Sequence, residues 1–375
     1  MDKASVYFAT ARSAKFAHSH SLLARLGRLL DQMNIGEIVQ IDTPVPVKIH
    51  FGSRGAVHTV RPAYVGQVIS ALHNVPCQPF LTDSCRLRGL DYLGVARRNG
   101  YDWATIGAPV VLADGVYGND SVVVTAGRLL EKAAIASAIH DAGSMVVISH
   151  FKGHSGAGIG GAVKNLAMGG VTGRPRCGSW QQGRGKAHFL LATAVEWTAE
   201  RCSHCGTCIE ICPVDAVSEV DGTITIDQGR CWRCGRCITT CPDHALTAPK
   251  DDSTFQEALA EQAAAVLSTF EPGRVLYLNF LLHMQPECDC VEIADVPVVQ
   301  DLGVLASTDP VAVDIASLDM IAQQPPLPGS RAVQITIAPG QDVFSALHQK
   351  NSRGHALYLE KMGYGTSQYQ LITVA

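Results

Sequence analysis

Up to about residue 195, short apolar runs alternate with stretches whose apolar positions recur every three or four residues. The runs SVYFA (5–9), VPVKIHF (45–51), PFLTD (79–83), APVVLAD (108–114), SVVVT (121–125) and SMVVISHF (144–151) read as strands. HSLLARLGRLLDQM (20–33), AYVGQVISALH (63–73), DYLGVARRNG (91–100) and LLEKAAIASAIHDA (129–142) carry helical spacing. Several strands are apolar on both faces, as expected when helices cover both sides of a parallel or mixed sheet. The pattern resumes after residue 250 with an alanine-rich helix (about 254–269) and a strand, RVLYLNF (274–280). A further helix starts at Asp309-Pro310, where Asp caps and Pro fits the first turn, and YQLITV (369–374) closes the chain as a strand. The prediction is an α/β fold, a parallel or mixed sheet covered by helices, built from 1–195 and 250–375 around an inserted domain at 196–249.

Cysteines dominate the insert. Eight of the thirteen fall between positions 202 and 241, which points to metal or redox chemistry and away from a disulfide framework. CSHCGTCIEICP (202–213) and CWRCGRCITTCP (231–242) each read C-x2-C-x2-C-x3-C-P. That is the spacing of bacterial two-cluster ferredoxins, in which the fourth cysteine of each run serves the other cluster. One 4Fe–4S cluster is therefore expected on Cys202, Cys205, Cys208 and Cys241, and the second on Cys231, Cys234, Cys237 and Cys212. A pair of zinc knuckles fits poorly, because each zinc would take its four ligands without interlacing. Arg230, Arg233 and Arg236 crowd the second run while Arg201 stands alone by the first, an asymmetry suited either to docking an acidic electron donor or to raising the potential of the nearby cluster.

Bulk properties narrow the partners. A net charge of −4 gives no reason to expect nucleic acid. No signal-peptide core and no membrane-length apolar run is visible, so a cytoplasmic protein is expected.

The stretch SHFKGHSGAGIGGAVKNLAMGG (149–170) contains G-x-G-x-x-G at Gly156, Gly158 and Gly161. It fails as a dinucleotide fingerprint. Four residues separate the strand from the first glycine, and no acid follows at the required distance. It fails as a phosphate loop because Ala162 follows Gly161 where lysine is needed. What it offers is a polar set, His150, Lys152, His154, Lys164 and Asn165, on a glycine-rich loop after a buried strand. Lysines there suit an anionic substrate, and histidines suit proton transfer or metal ligation. Lys48 and His50 project from one face at the end of another strand, where α/β pockets open. Cys288 and Cys290, in C-D-C, are outside the ferredoxin pattern and are open to three readings: a further metal, a redox thiol site, or buried small residues. Asp301, Asp309 and Asp314 are candidate acids, Asp309 being the helix cap.

KIHFG, PFLTD, VLADGVYGND, ISHFKGHSGAGIGGAVKNLAMGG, the double cysteine run, NF…CDC and DLGVLASTDPVAVDIAS resemble, in this order, the family catalogued as domain of unknown function 362, in its ferredoxin-containing members. The resemblance implies an α/β host carrying two 4Fe–4S clusters. SCRLRG (84–89) departs from the pattern by lacking an aromatic residue. A shorter similarity, a histidine followed by a glycine-rich loop ending in lysine, links the chain to the N-terminal domain of lactate racemase. There lysine and histidine serve a nickel pincer cofactor, which would implicate Lys164 with His150 or His154.

These features together suggest a ferredoxin-type reductase. A ferredoxin- or flavodoxin-type protein would supply electrons; Lys48, Lys152 and Asn165 would bind a small anionic substrate; His50, His150, His154 and Lys164 would act on it. An extra metal or organic cofactor could sit at Cys288 and Cys290, and the chain could form a homo-oligomer. The alternatives are an electron-transfer or maturation partner without its own substrate, and a non-redox racemase-like or transferase activity with structural clusters.

Overall fold

A computed structural model describes residues 3–85, 89–174, 183–188, 195–212, 215–231, 236–247 and 252–375. Eight strands form the main sheet: β1 (Ala4–Thr10), β2 (Pro44–Ile49), β3 (Gln78–Asp83), β4 (Val110–Leu112), β5 (Met145–His150), β6 (Val275–Leu281), β7 (Gly303–Ser307) and β8 (Tyr369–Thr373). Their spatial order is β8-β1-β7-β6-β5-β2-β3-β4. Only β7 pairs antiparallel with its neighbours, so the sheet is mixed but mainly parallel.

The apolar runs form strands because both faces are covered. Along β5, Val147 joins one apolar layer while Val146 and Ile148 join the other. The first layer packs the helices Ala162–Gly169, Asp252–Leu267 and Pro310–Ala322 on one side of the sheet. The second packs Leu22–Gln32 and Pro62–His73 on the opposite side, through Leu26, Leu29, Val65 and Ile69. Helix starts follow their caps: Ser21 accepts the N–H of Ala24 (3.2 Å), and Asp309 those of Val311 and Ala312 (2.9 Å each).

Two local expectations need correction. LLEKAAIASAIHDA is not one helix: Lys132–Ala136 is a strand paired antiparallel with Ser121–Thr125, and only Ser137–His140 is helical. Glu131 stands at φ +58°, which interrupts a helix, and Ile135 pairs with Val122. Tertiary pairing here outweighs alanine's helix propensity. The hairpin these strands make stands apart from the main sheet. Conversely β7, within DLGVLAS, has no counterpart in the pattern reading.

The G-x-G-x-x-G stretch folds as an antiparallel pair, Lys152–His154 with Gly158–Gly160, followed by the helix Ala162–Gly169. Its N-terminus is filled by the chain's own carboxylate. Asp314 accepts the N–H groups of Ala162 (2.7 Å) and Val163 (3.0 Å) and the amide of Asn279 (2.8 Å). A Cβ on Gly161 would lie 2.4 Å from Asp314 Oδ1. An incoming pyrophosphate would find these donors taken, in agreement with rejecting the stretch as a dinucleotide loop.

Residues 195–247 carry a small apolar cluster of their own, with Val195, Cys208, Val217, Ile224 and Leu246 at its centre. Glu196–Trp197 pairs with Leu246–Thr247, bringing the two ends of the segment together.

Replacing Asp314 by Ala removes the acceptor for two buried helix donors. We expect a loss of roughly 2–4 kcal/mol, read as a lower urea midpoint, with Asp314→Asn losing less because it keeps one acceptor oxygen. Equal midpoints for wild type and Asp314→Ala would show that the contact does not hold the helix.

Candidate functional site

Strands β2, β3, β5 and β6 run the same way, so their carboxyl ends share one edge of the sheet. Two buried ion networks form there. In the first, Lys48 from β2 pairs with Asp83 at the end of β3 (3.1 Å), both under 3% exposed. The other Asp83 oxygen meets His50 Nδ1 at 3.2 Å, and the Tyr92 hydroxyl reaches both His50 Nδ1 (2.9 Å) and that oxygen. Lys48 also donates to Asn165 Oδ1, while the Asn165 amide donates to Ile148 O (2.9 Å) and Ser149 Oγ (3.0 Å). Burial pushes the Lys48 ammonium down; it also works against ionised Asp83, yet Lys48 and His50 hold that carboxyl below the usual range.

The second network surrounds Asp289. His150 Nδ1 lies 2.9 Å and Lys152 Nζ 3.1 Å from its Oδ2, and Gln285 donates to Oδ1 (3.1 Å). His150 Nε2 faces Leu282 O at 2.9 Å, so both ring nitrogens point at oxygen acceptors. Burial opposes the charge on Asp289, but His150 and Lys152 hold its carboxyl below the ordinary range. Burial likewise opposes charge on Lys152, but Asp289, Cys288 and Cys290 together outweigh it, raising that ammonium.

Beside this network, Lys164 Nζ donates to the buried Cys288 Sγ (3.4 Å), as does the Cys290 N–H (3.4 Å). A hydrogen bond from Cys290 holds the Cys288 thiol well below its usual range. Lys164 and Lys152 add to this effect against burial. A ring nitrogen of His154 and the sulfurs of Cys288 and Cys290 lie within 4.8 Å of one another, a group able to hold a metal ion. The hairpin packs tightly here: a Cβ on Gly153 would lie 2.0 Å from Pro286 O, so only glycine lets the two segments approach. His355, fully buried, is pushed down to about 4 by burial and by the charge of Lys164.

In the cysteine segment, Cys202, Cys205, Cys208 and Cys241 line one pocket together with Trp197 and His204. Cys212 Sγ accepts the N–H of Ala216 (3.2 Å) and Cys241 Sγ that of Ala245 (3.3 Å), each alanine standing four residues past the last cysteine of its run. Cys231 and Cys237 border the same small core as Cys212. Cys234 and Arg233 lie outside the described residues, and the side chain of Arg236 does too.

Residues 45–319 match the family described as domain of unknown function, DUF362. The chain is a member of that family. No curated protein matches it. Among solved structures, the lactate racemase apoprotein from Thermoanaerobacterium thermosaccharolyticum is similar with a TM-score of 0.39 at 11% identity, covering 85% of this chain and 57% of that one. A protein from Thermotoga maritima gives a TM-score of 0.33 at 6% identity, covering 72% of this chain and 52% of the other. The DUF362 chain thus spans little more than half the length of either.

Nine of the residues singled out in the DUF362 sequence lie in or beside these networks: Lys48, His50, His150, Lys152, His154, Lys164, Asn165, Cys288 and Cys290. Asp309 is a cap, and Asp301 accepts the backbone N–H of His283 (2.6 Å). Sequence reasoning missed Asp83, Tyr92, Asp289 and His355. Asp289 carried a signal, since it stands between the two flagged cysteines; Tyr92 and His355 carried none. SCRLRG is described only at Ser84, Cys85 and Gly89. Among the described residues no helix is long and apolar enough to cross a membrane.

Two outcomes follow for the DUF362 chain. Asp289→Ala strands the buried Lys152 charge, and we expect it to cost about 3–5 kcal/mol in urea unfolding; a cost below 1 kcal/mol would show that the pair is solvated. His355 is held neutral, its folded value about 4 lying below its ordinary 6.5. Its contribution is complete above pH 6.5 and lost as pH falls toward 4, up to about 3 kcal/mol. Asp83 and Asp289, held below their usual range, lose theirs only at more acid pH. His355→Gln is therefore expected to remove this loss between pH 6.5 and 4, leaving the opposite slope of Asp314, whose carboxyl burial raises to about 6; an unchanged slope there would assign the loss elsewhere.

Proposed function

We propose that this DUF362 protein is an iron–sulfur oxidoreductase. It takes electrons from a ferredoxin- or flavodoxin-type protein and delivers them through two 4Fe–4S clusters to a small anionic substrate in the α/β host. One observation carries the reading: three cysteines of the first run and the last cysteine of the second line a single pocket. Interlacing of this kind supports a two-cluster ferredoxin domain at 196–249, inserted between host segments 1–195 and 250–375. Cys231, Cys234, Cys237 and Cys212 form the second set. The matching N–H contacts to Cys212 and Cys241 support an internal twofold repeat. When bound, the clusters supply one-electron transfer.

The host residues supply the rest. Lys48, Lys152 and Lys164 are buried at this edge of the sheet, cationic groups suited to an anion. Lys48, oriented by Asn165, and Lys152, oriented by Asp289, hold the substrate. His50, poised between Asp83 and Tyr92, and His150, poised between Asp289 and Leu282 O, deliver the protons that reduction consumes. His154 and Lys164 complete the reacting face. Arg230 and its neighbours receive the acidic donor protein.

Protein purified without oxygen is expected to hold about eight irons and eight sulfides per chain. Cys241→Ser is expected to remove the same cluster, and the same electron paramagnetic resonance signal, as Cys205→Ser. Loss instead of the signal removed by Cys231→Ser would show that the runs do not interlace. Fewer than about four irons per chain in the wild type would sink the reading.

A further inference from the structure

We propose that Cys288 and Cys290 form a two-electron thiol–disulfide couple whose substrate is a small anionic disulfide. The two residues sit in a turn closed by the Val291 N–H on Cys288 O (3.0 Å). A turn draws its residues closer than a strand does, and the sulfurs lie within 4.8 Å of each other. Asp289, between them, is gripped by His150, Lys152 and Gln285, so both flanking cysteines stand on a fixed frame.

What faces Cys288 Sγ is hydrogen-bond donors: Lys164 Nζ and the Cys290 N–H, each at 3.4 Å. Such donors stabilise a thiolate, both as attacking group and as leaving group. His154 bears on the alternative, a metal. Its Nδ1 accepts the N–H groups of Gly156 and Ala157, at 3.0 Å each, which leaves the neutral ring's hydrogen on Nε2. A metal-bound histidine needs the reverse, one nitrogen on the metal and the other donating. The arrangement therefore favours sulfur chemistry over ligation.

The chemistry balances without a further reagent. Cys288 thiolate attacks one sulfur of RS–SR, the S–S bond breaks, and RS⁻ leaves with the bonding pair. Cys290, losing its proton, then attacks Cys288 of the mixed disulfide and expels the second RS⁻. The protein is oxidised by two electrons, the substrate is reduced to two thiols, and Lys164 stabilises each thiolate as it forms at Cys288. Two electrons and two protons regenerate the dithiol. The inference rests on the proposed function only for the source of those electrons, the reduced clusters of the ferredoxin segment. Two one-electron carriers match one two-electron couple.

The test supplies reductant independently. Full-length protein, anaerobic and with its clusters, is reduced with dithiothreitol and desalted. It is then treated with 5,5′-dithiobis(2-nitrobenzoate), a dianionic disulfide, or with neutral 4,4′-dithiodipyridine, and the peptide holding residues 288–290 is weighed. The couple predicts that this peptide loses two hydrogens and keeps no adduct. It also predicts that the dianion reacts faster than the neutral reagent relative to a small-molecule thiol, and that Lys164→Met reduces this preference about tenfold. Cys290→Ser should leave a stable mixed disulfide on Cys288. Two adducts on the wild-type peptide, or thiols that stay unreacted and alkylate only after unfolding, would overturn the proposal. So would one zinc per chain, lost in Cys288→Ser, whose zinc-edge X-ray absorption shows sulfur ligands. Iron content, measured on the same samples, reports separately on the cluster assignment.

Discussion

Buried positive charge sets the terms at the working edge of this sheet. Lys48 and Lys152 are nearly inaccessible to water, and an ammonium in that position is tolerable only beside a carboxylate. Asp83 and Asp289 meet the need, and neither is local: one ends the neighbouring strand, the other lies just past β6, more than a hundred residues from Lys152 along the chain. The order β6-β5-β2-β3 is what brings cations and carboxylates together, so a slip in that order would leave two unpaired charges in the interior. Topology and electrostatics thus enforce each other. Each carboxylate in turn holds a histidine, so the groups that neutralise the lysines also orient the rings.

The periodic apolar runs made most of the main sheet readable, because strands covered on both faces carry unbroken hydrophobic character. The failures are instructive. Residues 129–142 have helical spacing, but their strand partner lies at 121–125 and its pull is tertiary. Strand β7 is short and begins at a glycine, and nothing local marks it as the one strand running against the rest. At the site, Lys48, His50, His150 and Lys152 were legible because polar groups at the ends of buried strands stand out against their surroundings. Their counter-ions were not, since Asp83 and Asp289 acquire a meaning only from which strands become neighbours. Tyr92 lies within a helix whose own pattern is complete without it.

The glycine-rich stretch shows how one motif can serve two physical ends. Its glycines permit the close approach of Gly153 to Pro286 and of Gly161 to Asp314, and both contacts draw in segments from the C-terminal third. A reading that stops at the motif sees a nest awaiting a ligand; in the folded chain the nest is filled from within, and Lys164 and Asn165 on the same helix are aimed at Cys288 and Lys48.

The interrupted layout of the sheet also dictates the schedule on which a nascent chain can assemble. Strands β2 to β5 can pair as soon as residue 150 has emerged, but β1 must wait for β7 and β8, which arrive last. At ordinary rates of synthesis that wait lasts many seconds. Throughout it the Lys48–Asp83 pair can already be formed, while His150 and Lys152 remain hydrated for want of Asp289. The thiols between 202 and 241 leave the ribosome in this interval, when the host still lacks three of its eight strands. The clusters proposed for them could therefore be loaded before the rest of the molecule closes.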